Sequence, residues 1–81
     1  MDNLTIKDRL TLIFRNVFND DSILVDEQLT AEDVISWDSL THMLMIAEVE
    51  SQFSIKFKLR EIGNLKNVGS LIDLIRAKAN N

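Results

Sequence analysis

The sequence predicts an all-α fold, a bundle of three main helices and one short helix with a long loop after the first helix. Three stretches place apolar side chains at helical spacing, and each is bounded by residues that begin or end helices. The chain has no proline and only two glycines, so residues that break helices are scarce. With 81 residues, 46% of them apolar, it is expected to form one domain over residues 1–81 with a modest core.

The first helix is predicted from Ile6 to Phe18. Thr5 is expected to be its N-cap, because its hydroxyl can accept a hydrogen bond from a first-turn amide. Asp8 places a negative charge near the positive end of the helix dipole. One face of this helix is apolar at 3.6-residue spacing, and we expect it to enter the core: Ile6, Leu10, Ile13, Phe14 and Val17.

A long connection follows over residues 20–37. Its acidic start, Asn19-Asp20-Asp21-Ser22, lacks the alternating ligands, the central glycine and the closing glutamate of a calcium loop. Loops of this length are usually functional or disordered, and the apolar residues here favour an ordered one. Thr30-Ala31-Glu32-Asp33 is typical of a capped single turn of helix ending near Ile35. Four residues are expected to pin the loop to the core: Ile23, Leu24, Val25 and Leu29.

The second helix is predicted to begin at Ser39 with Asp38 as its N-cap. One apolar stripe is assigned to the core: His42, Met45, Ile46, Val49 and Phe53. A second stripe lies nearly opposite and is left partly available beside Ser39: Leu40, Met43, Leu44 and Ala47. The alternative is that both stripes, and Leu40 and Met43 in particular, are buried between neighbouring helices.

After the second helix, apolar residues alternate along Phe53-x-Ile55-x-Phe57-x-Leu59. No second strand is available to pair with this segment, so we expect a loop that buries alternate side chains. A short helical turn should follow around Leu59 to Ile62, with Gly63 capping it in a left-handed conformation. Asn67 is the expected N-cap of the last helix, whose apolar face comprises Val68, Leu71, Ile72, Ile75 and Ala79. Arg76 and Lys78 suit the C-terminal end of its dipole.

The composition excludes several classes of protein. With no cysteine, the chain has no disulfide, no thiolate metal ligand and no catalytic thiol. No apolar run reaches membrane-spanning length, and the first residues lack the basic and apolar regions of a signal peptide. We expect a monomeric, cytoplasmic protein that does not insert into membranes.

Acidic residues are concentrated in the middle of the chain. Residues 16–55 contain nine Asp or Glu and no Lys or Arg, whereas the rest holds nine bases and four acids, for a net charge of −4. Such a field repels nucleic acid and favours encounters with basic protein surfaces. On charge alone, a solvated face and a partner site are equally consistent with the pattern.

Ser39 is the residue whose position most suggests chemistry. A serine hydrolase needs an adjacent base and an oxyanion site. The only histidine, His42, lies roughly 60° or more around the helix from Ser39, and no nucleophile-elbow glycines flank the serine. A helix N-terminus, in contrast, favours an attached phosphate through its free amides and dipole. Serine is also common there as a capping or solvent-facing residue, so this position alone leaves both readings open.

Three segments resemble the acyl carrier protein family, which includes peptidyl carrier domains: Trp37-Asp38-Ser39-Leu40, Glu50-Ser51-Gln52-Phe53-Ser54-Ile55 and Asn67-Val68-Gly69-Ser70-Leu71-Ile72. The resemblance implies an acyl-carrier-protein-like four-helix fold with 4′-phosphopantetheine joined to Ser39 Oγ, flanked by Asp38 and Leu40. A phosphopantetheinyl transferase would install this group from coenzyme A with Mg²⁺. The resemblance further implies a carrier without catalytic residues, which holds acyl groups as thioesters. An acyl-loading ligase would supply these groups, and the carrier would deliver them to acyl-processing enzymes of fatty-acid, polyketide or related biosynthesis.

The chain departs from the family pattern next to the motif. Carriers of housekeeping fatty-acid synthesis usually have Gly-Ala or Gly-Met before Asp-Ser-Leu and acids early in the second helix. This chain has Ser36-Trp37 before the motif and then Thr41, His42 and an outward Leu44. The resemblance therefore favours a dedicated carrier of a specialised metabolite or modified-lipid pathway. Residues expected to dock partners are Trp37, Leu44, Ala47, Glu48 and Glu50, although Trp37 can instead anchor the loop. Alternatives are an aminoacyl or peptidyl carrier and a small acidic helical interaction module without a covalent cofactor.

Overall fold

The computed structural model describes residues 2–79, so the predicted domain extends beyond it at Met1, Asn80 and Asn81. It contains four helices, α1 (Asn3–Val17), α2 (Ser39–Phe53), α3 (Leu59–Gly63) and α4 (Val68–Ala79), with a 3-10 turn at Ala31–Asp33. The described residues include no strand. The prediction of three main helices, one short helix and a long first loop is confirmed. Over the same residues, no helix has the length and apolar character needed to span a membrane.

The helix α1 begins before the predicted position. Asp2, in extended backbone, is its N-cap, and Asp2 Oδ1 accepts a hydrogen bond from Thr5 N at 2.8 Å. The prediction of Thr5 as the N-cap is wrong, because the Thr5 amide is itself one of the first-turn donors that need a cap. At the other end, Asn19 adopts a left-handed φ of 52°, which stops the helix.

The core lies where α1 packs against α2 and α4. Each helix contributes most of the apolar face that its spacing predicts, while Val17, His42 and Ala79 are only half-buried at the edge. The buried helical residues are Ile6, Leu10, Ile13 and Phe14 of α1, Met45, Ile46, Val49 and Phe53 of α2, and Val68, Leu71, Ile72 and Ile75 of α4.

The long loop is ordered by apolar and backbone contacts. Ile23 and Val25 are buried and Leu29 packs against the core, but Leu24 is 72% exposed, so the prediction that Leu24 pins the loop is wrong. Neighbouring side chains of an extended segment point to opposite sides, which sends Leu24 outward. Hydrogen bonds then fix the loop to the rest of the bundle. Arg15 Nε of α1 donates to Ile23 O at 2.8 Å. At the start of α4, Val68 N donates to Leu29 O and Gly69 N donates to Glu27 O, both at 2.9 Å.

The segment between α2 and α3 buries some of the apolar side chains that alternate along it. Ile55 is buried and Phe57 is half-buried, but Leu59 is 83% exposed because it already belongs to α3. Glu50 Oε2 accepts a hydrogen bond from Phe57 N at 2.9 Å, which satisfies one backbone donor of this segment.

Of the two caps predicted around α3 and α4, the structure contains only the one at the start of α4. Gly63 lies inside α3 without a positive φ and Asn64 is the C-cap, so the predicted left-handed glycine cap is wrong. The Asn67 cap is confirmed, because Asn67 Oδ1 accepts from Ser70 N at 2.9 Å. Lys78 of α4 pairs with Glu61 of α3 at 3.0 Å, and this contact links the two helices.

The two glycines are expected to respond oppositely to alanine. A Cβ at Gly69 would lie 2.9 Å from Glu27 O and 3.2 Å from Glu27 Cβ, whereas a Cβ at Gly63 meets nothing within 4 Å. Overpacking against the backbone costs about 1–3 kcal/mol, which exceeds the helix-propensity gain of about 1 kcal/mol or less. Gly69→Ala should therefore lower the free energy of unfolding, measured by urea denaturation, and Gly63→Ala should raise it by about 0.4–1 kcal/mol. Equal effects at both positions would contradict this packing.

Candidate functional site

Ser39 is the first residue of α2, and its side chain is exposed. Its hydroxyl has no hydrogen-bond partner among residues 2–79. It lines an open groove of about 500 Å³, together with Ala31, Trp37, His42 and Met43. The hydroxyl is thus accessible to another molecule and has no structural duty that modification would disturb.

Asp38 fixes the start of the helix on which Ser39 lies. Asp38 Oδ1 accepts from Thr41 N at 2.9 Å, and Thr41 Oγ1 accepts from Asp38 N at 2.8 Å, so the predicted N-cap is confirmed as a reciprocal capping box. Thr41 Oγ1 also donates to Ser36 O at 2.7 Å, which ties the helix to the preceding turn. The hydrogen bond from the Thr41 amide lowers the pKa of Asp38, and the side chain is therefore ionised at neutral pH.

The Asp38 cap should make the stability of the domain depend on pH. Because the pKa of Asp38 is lower in the folded chain than its ordinary value of about 3.9, its stabilisation is complete well above that value and is lost as the pH falls through the folded pKa. Asp38→Asn retains a capping oxygen but does not titrate. In thermal denaturation between pH 7 and pH 2, the wild type should lose more stability below about pH 4 than Asp38→Asn does. Parallel curves for the two proteins would contradict the assignment.

Trp37 anchors the loop immediately before the site. Its ring contacts Phe14 edge-on and Phe18 at a tilt, each with a centroid distance of 5.3 Å. Trp37 Nε1 donates to His42 Nδ1 at 3.0 Å, and the two rings are nearly parallel, at 17°. The sequence-based interpretation that Trp37 anchors the loop is confirmed. His42 was assigned to the core stripe of α2, but it is half-buried at the edge of the core, where its Nδ1 accepts from the indole.

This geometry does not assemble a serine hydrolase. A nucleophilic serine needs its base within hydrogen-bond reach, yet the Ser39 hydroxyl makes no such bond within the described part of the chain. His42 Nδ1 is engaged by Trp37. In residues 2–79, no three His, Cys, Asp or Glu side chains are grouped as metal ligands.

An apolar surface surrounds Ser39. Leu40, Met43 and Leu44 are 70%, 47% and 52% exposed, and Ala47 is exposed one turn further along α2. The alternative that Leu40 and Met43 are buried between helices is therefore wrong, since the neighbouring elements do not cover this side of α2. Ile35, in the turn before Trp37, is fully exposed and was not expected to contribute. Its signal in the sequence is an isolated apolar residue between the 3-10 turn and the Ser39 motif.

The two acids predicted to dock partners have different environments. Glu48 is half-buried, and its Oε1 accepts a hydrogen bond from Nε2 of the exposed Gln52 at 3.0 Å. Glu50 directs a carboxylate oxygen to the backbone of Phe57. The Glu48 carboxylate therefore contacts only another side chain among residues 2–79, whereas the Glu50 carboxylate holds a backbone amide.

Comparisons with known proteins complete the description of the site. No model of a known protein family matches the chain, and a comparison with curated proteins finds no match. The solution NMR structure of a holo acyl carrier protein from Geobacter metallireducens is similar to the chain, with a TM-score of 0.85. The two are 49% identical, over 90% of this chain and 84% of that one. The likeness therefore extends to sequence as well as fold.

Proposed function

The chain belongs to the acyl carrier protein family, and on that premise we propose that Ser39 carries a covalent 4′-phosphopantetheine group on which acyl intermediates are held as thioesters. The observation that carries the proposal is Ser39 itself, an exposed serine with an uncommitted hydroxyl at the N-terminus of α2. In this function the chain is a carrier and not an enzyme, and the reactions take place in partner active sites.

The residues around Ser39 fit a phosphodiester. Asp38 caps Thr41 N, and Asp38 O accepts from His42 N, while the amides of Ser39 and Leu40 lie at the open end of the helix dipole. A phosphate on Ser39 Oγ would be stabilised there by the positive end of α2. The charge of the ionised Asp38 partly opposes the phosphate, while the hydrogen bond from Thr41 N stabilises the carboxylate in its charged form.

When bound, 4′-phosphopantetheine supplies a terminal thiol that forms the thioester, a group that the cysteine-free chain lacks. The chain's own residues position the attachment point and leave it open. Asp38 and Thr41 hold the first turn of α2 rigid, and Trp37 fixes the preceding turn against α1. Leu40 offers an exposed apolar contact beside the attachment point.

Partner enzymes are proposed to dock on the exposed side of α2. Leu40, Met43, Leu44 and Ala47 offer apolar contact, and Glu48 adds a charge beside them. This set adds Leu40 and Met43 to the predicted docking residues, and the exposed Ile35 lies in the turn before α2. Trp37 and Glu50 contribute chiefly by ordering the loops on either side. The acidic middle of the chain suits partners with basic surfaces, including the phosphopantetheinyl transferase and the acyl-loading ligase.

Charge reversal tests this docking surface. Glu48→Lys should slow transfer of the phosphopantetheinyl group at low ionic strength, by a factor that shrinks as salt is added. Asp8→Lys is the matched control, because it makes the same change of charge at an exposed position on α1. Initial rates followed by mass spectrometry provide the measurement. Equal rates for the two variants at low salt would count against docking at Glu48.

We further propose a specialised pathway and a cytoplasmic, monomeric carrier. Trp37 and His42 interact directly at the site, which supports a dedicated recognition surface in place of the Gly-containing family pattern. An aminoacyl or peptidyl cargo is the second candidate, favoured by the exposed apolar Leu44 in the early part of α2, where the resemblance would lead us to expect acids. Loading by an aminoacyl-activating enzyme rather than an acyl ligase distinguishes the two.

Intact mass spectrometry tests the proposed attachment. After incubation with coenzyme A, Mg²⁺ and a broad-specificity phosphopantetheinyl transferase, the chain should gain the mass of one phosphopantetheinyl group. Fragmentation should locate the gain on Ser39. A chain that gains no mass while a known carrier in the same reaction does would favour the noncovalent interaction module instead.

A further inference from the structure

The basic residues of the chain fall into two groups that differ in their contacts. Of the nine lysines and arginines, five contact a group of the folded chain: Lys7 pairs with Glu27, Arg9 lies over the Phe53 ring, Arg15 donates to Ile23 O, Arg76 pairs with Asp73 and Lys78 pairs with Glu61. Within residues 2–79 the side chains of the other four make no ion pair and no hydrogen bond: Lys56, Lys58, Arg60 and Lys66. All four lie in or beside α3.

The stretch over residues 56–66 is positively charged in a chain that is acidic overall. It holds four bases and one acid, a net charge of +3, so the rest of the chain carries −7 of the total of −4. The acid, Glu61, is held by Lys58 N at 2.7 Å and by Lys78 of α4. Glu50 of α2 also reaches the stretch, where Phe57 N donates to its carboxylate. The region of α3 therefore has the opposite sign to the acidic middle of the chain.

The backbone before α3 directs two of these bases to solvent. Lys56 and Lys58 are exposed and alternate with the buried Ile55 and the half-buried Phe57, so their side chains point away from the core. Arg60 is exposed on α3 itself. The charges are thus available to another molecule.

Leu59 adds an apolar side chain to this charged surface. It is the first residue of α3, it is 83% exposed, and Lys58 and Arg60 flank it along the chain. Long basic side chains keep their charged ends in water or among headgroups while an apolar neighbour reaches deeper. The combination suits a partner that is negatively charged at its surface and apolar underneath.

Two features favour lipid headgroups over an acidic protein as this partner. Three of the four bases are lysines, and protein interfaces are depleted in lysine and enriched in arginine. Leu59 also stands alone, because the nearby Phe57 and Ile62 are half-buried against the core. The surface therefore lacks the apolar centre on which a protein interface depends.

We propose that Lys56, Lys58, Leu59 and Arg60 form a surface that binds the headgroups of an anionic phospholipid membrane, with Lys66 adding charge beside it. The chain would rest on the membrane without spanning it. Each base near such a membrane strengthens binding about fivefold, and four bases correspond to half-binding at about 1 mM accessible lipid. The Debye length is about 8 Å at physiological ionic strength, whereas the chain is 33 Å long, so acids far from α3 oppose this binding only weakly.

The membrane-binding surface lies near the attachment point. Lys66 lines an open space whose other walls include Ala31, Trp37 and His42, and these three residues also line the groove at Ser39. A chain bound through α3 would bring an acyl group on Ser39 close to acceptors at the membrane. This consequence rests on the proposed function, whereas membrane binding is a property of the unmodified chain.

Vesicles test the surface directly. The unmodified full chain is mixed with vesicles of phosphatidylglycerol and phosphatidylcholine in equal amounts, or of phosphatidylcholine alone, and the bound fraction is measured by cosedimentation. The chain should bind the anionic vesicles, progressively less as salt is added, and should not bind the neutral ones. In NMR spectra, the amide signals of residues 56–60 should broaden before those of α2.

Matched variants assign the binding to α3. Arg60→Gln should weaken binding to the anionic vesicles about fivefold, whereas Arg9→Gln, which removes the same charge from an exposed position of α1, should weaken it about twofold or less. Leu59→Ala should weaken binding about threefold or more, because it removes apolar atoms that enter the headgroup layer. Leu12→Ala, at an exposed position of α1, should leave binding unchanged.

Polyglutamate distinguishes a membrane from an acidic protein, since it is a soluble polyanion without an apolar layer. It should bind the chain more weakly than anionic vesicles do at the same concentration of negative charge, and Leu59→Ala should not alter its binding. Three results would overturn the proposal: equal binding to anionic and neutral vesicles, equal effects of Arg60→Gln and Arg9→Gln, or polyglutamate binding as tight as vesicle binding. None of these measurements uses the attached group, so they can fail while Ser39 is still modified, and they can succeed if it is not.

Discussion

Replacing Ser39 with alanine is expected to abolish attachment of the phosphopantetheinyl group and all acyl loading, while the domain keeps its fold. The variant lacks the oxygen to which the phosphate would be joined, so the loss should be complete rather than partial. Stability should change little, since the hydroxyl is exposed and has no hydrogen-bond partner among residues 2–79. Intact mass after the transferase reaction and circular dichroism of the same sample provide the two measurements.

Ser51→Ala is the matched control for this experiment. Ser51 is also an exposed serine on α2, near its opposite end. This variant should be modified as fully as the wild type. If Ser39→Ala still gained the mass of the group, or if Ser51→Ala lost it, Ser39 would not be the attachment point.

Replacing Phe14 with alanine is expected to cause the largest loss of stability. Phe14 is fully buried, and its ring makes edge contacts with Phe18 and Trp37, so its removal leaves a cavity beneath the loop that leads to Ser39. Truncation of a buried phenylalanine costs about 3–5 kcal/mol, against a total stability of about 5–15 kcal/mol for a typical domain. Urea denaturation should show this loss, and tryptophan emission should report a less ordered Trp37.

Leu12→Ala tests whether the loss comes from burial. Leu12 lies on the same helix but is 67% exposed, and its substitution should change the free energy of unfolding by about 0.5 kcal/mol or less. Phe14→Leu should lie between the two, because it keeps much of the apolar volume. A cost below about 1 kcal/mol for Phe14→Ala would contradict the proposed support of the Ser39 loop by α1.

The helices and their buried faces could be predicted because both depend on local periodicity. Met45 and Leu71 fall at core positions whatever the arrangement of the other helices, and Asp38 and Asn67 are caps of the expected type at the expected spacing. The position of Ser39 at the start of α2 follows from the same local signals.

Features set by competition or by distant contacts were harder to predict. Asp2 and Thr5 are both acceptable cap residues, and the choice depends on where the first turn begins. Leu24 is apolar like the residues of the core, yet the path of the loop directs its side chain to solvent. The bond between Trp37 and His42 arises because Phe14 and Phe18 hold the indole against α2, and no spacing rule encodes that contact.

The most direct test of the carrier function is the intact mass of the chain purified from its native host. We expect one phosphopantetheinyl group on Ser39, with or without an acyl group on its thiol, and a retained acyl group would identify the cargo. A chain that is unmodified in its host, or modified at a residue other than Ser39, would contradict this account.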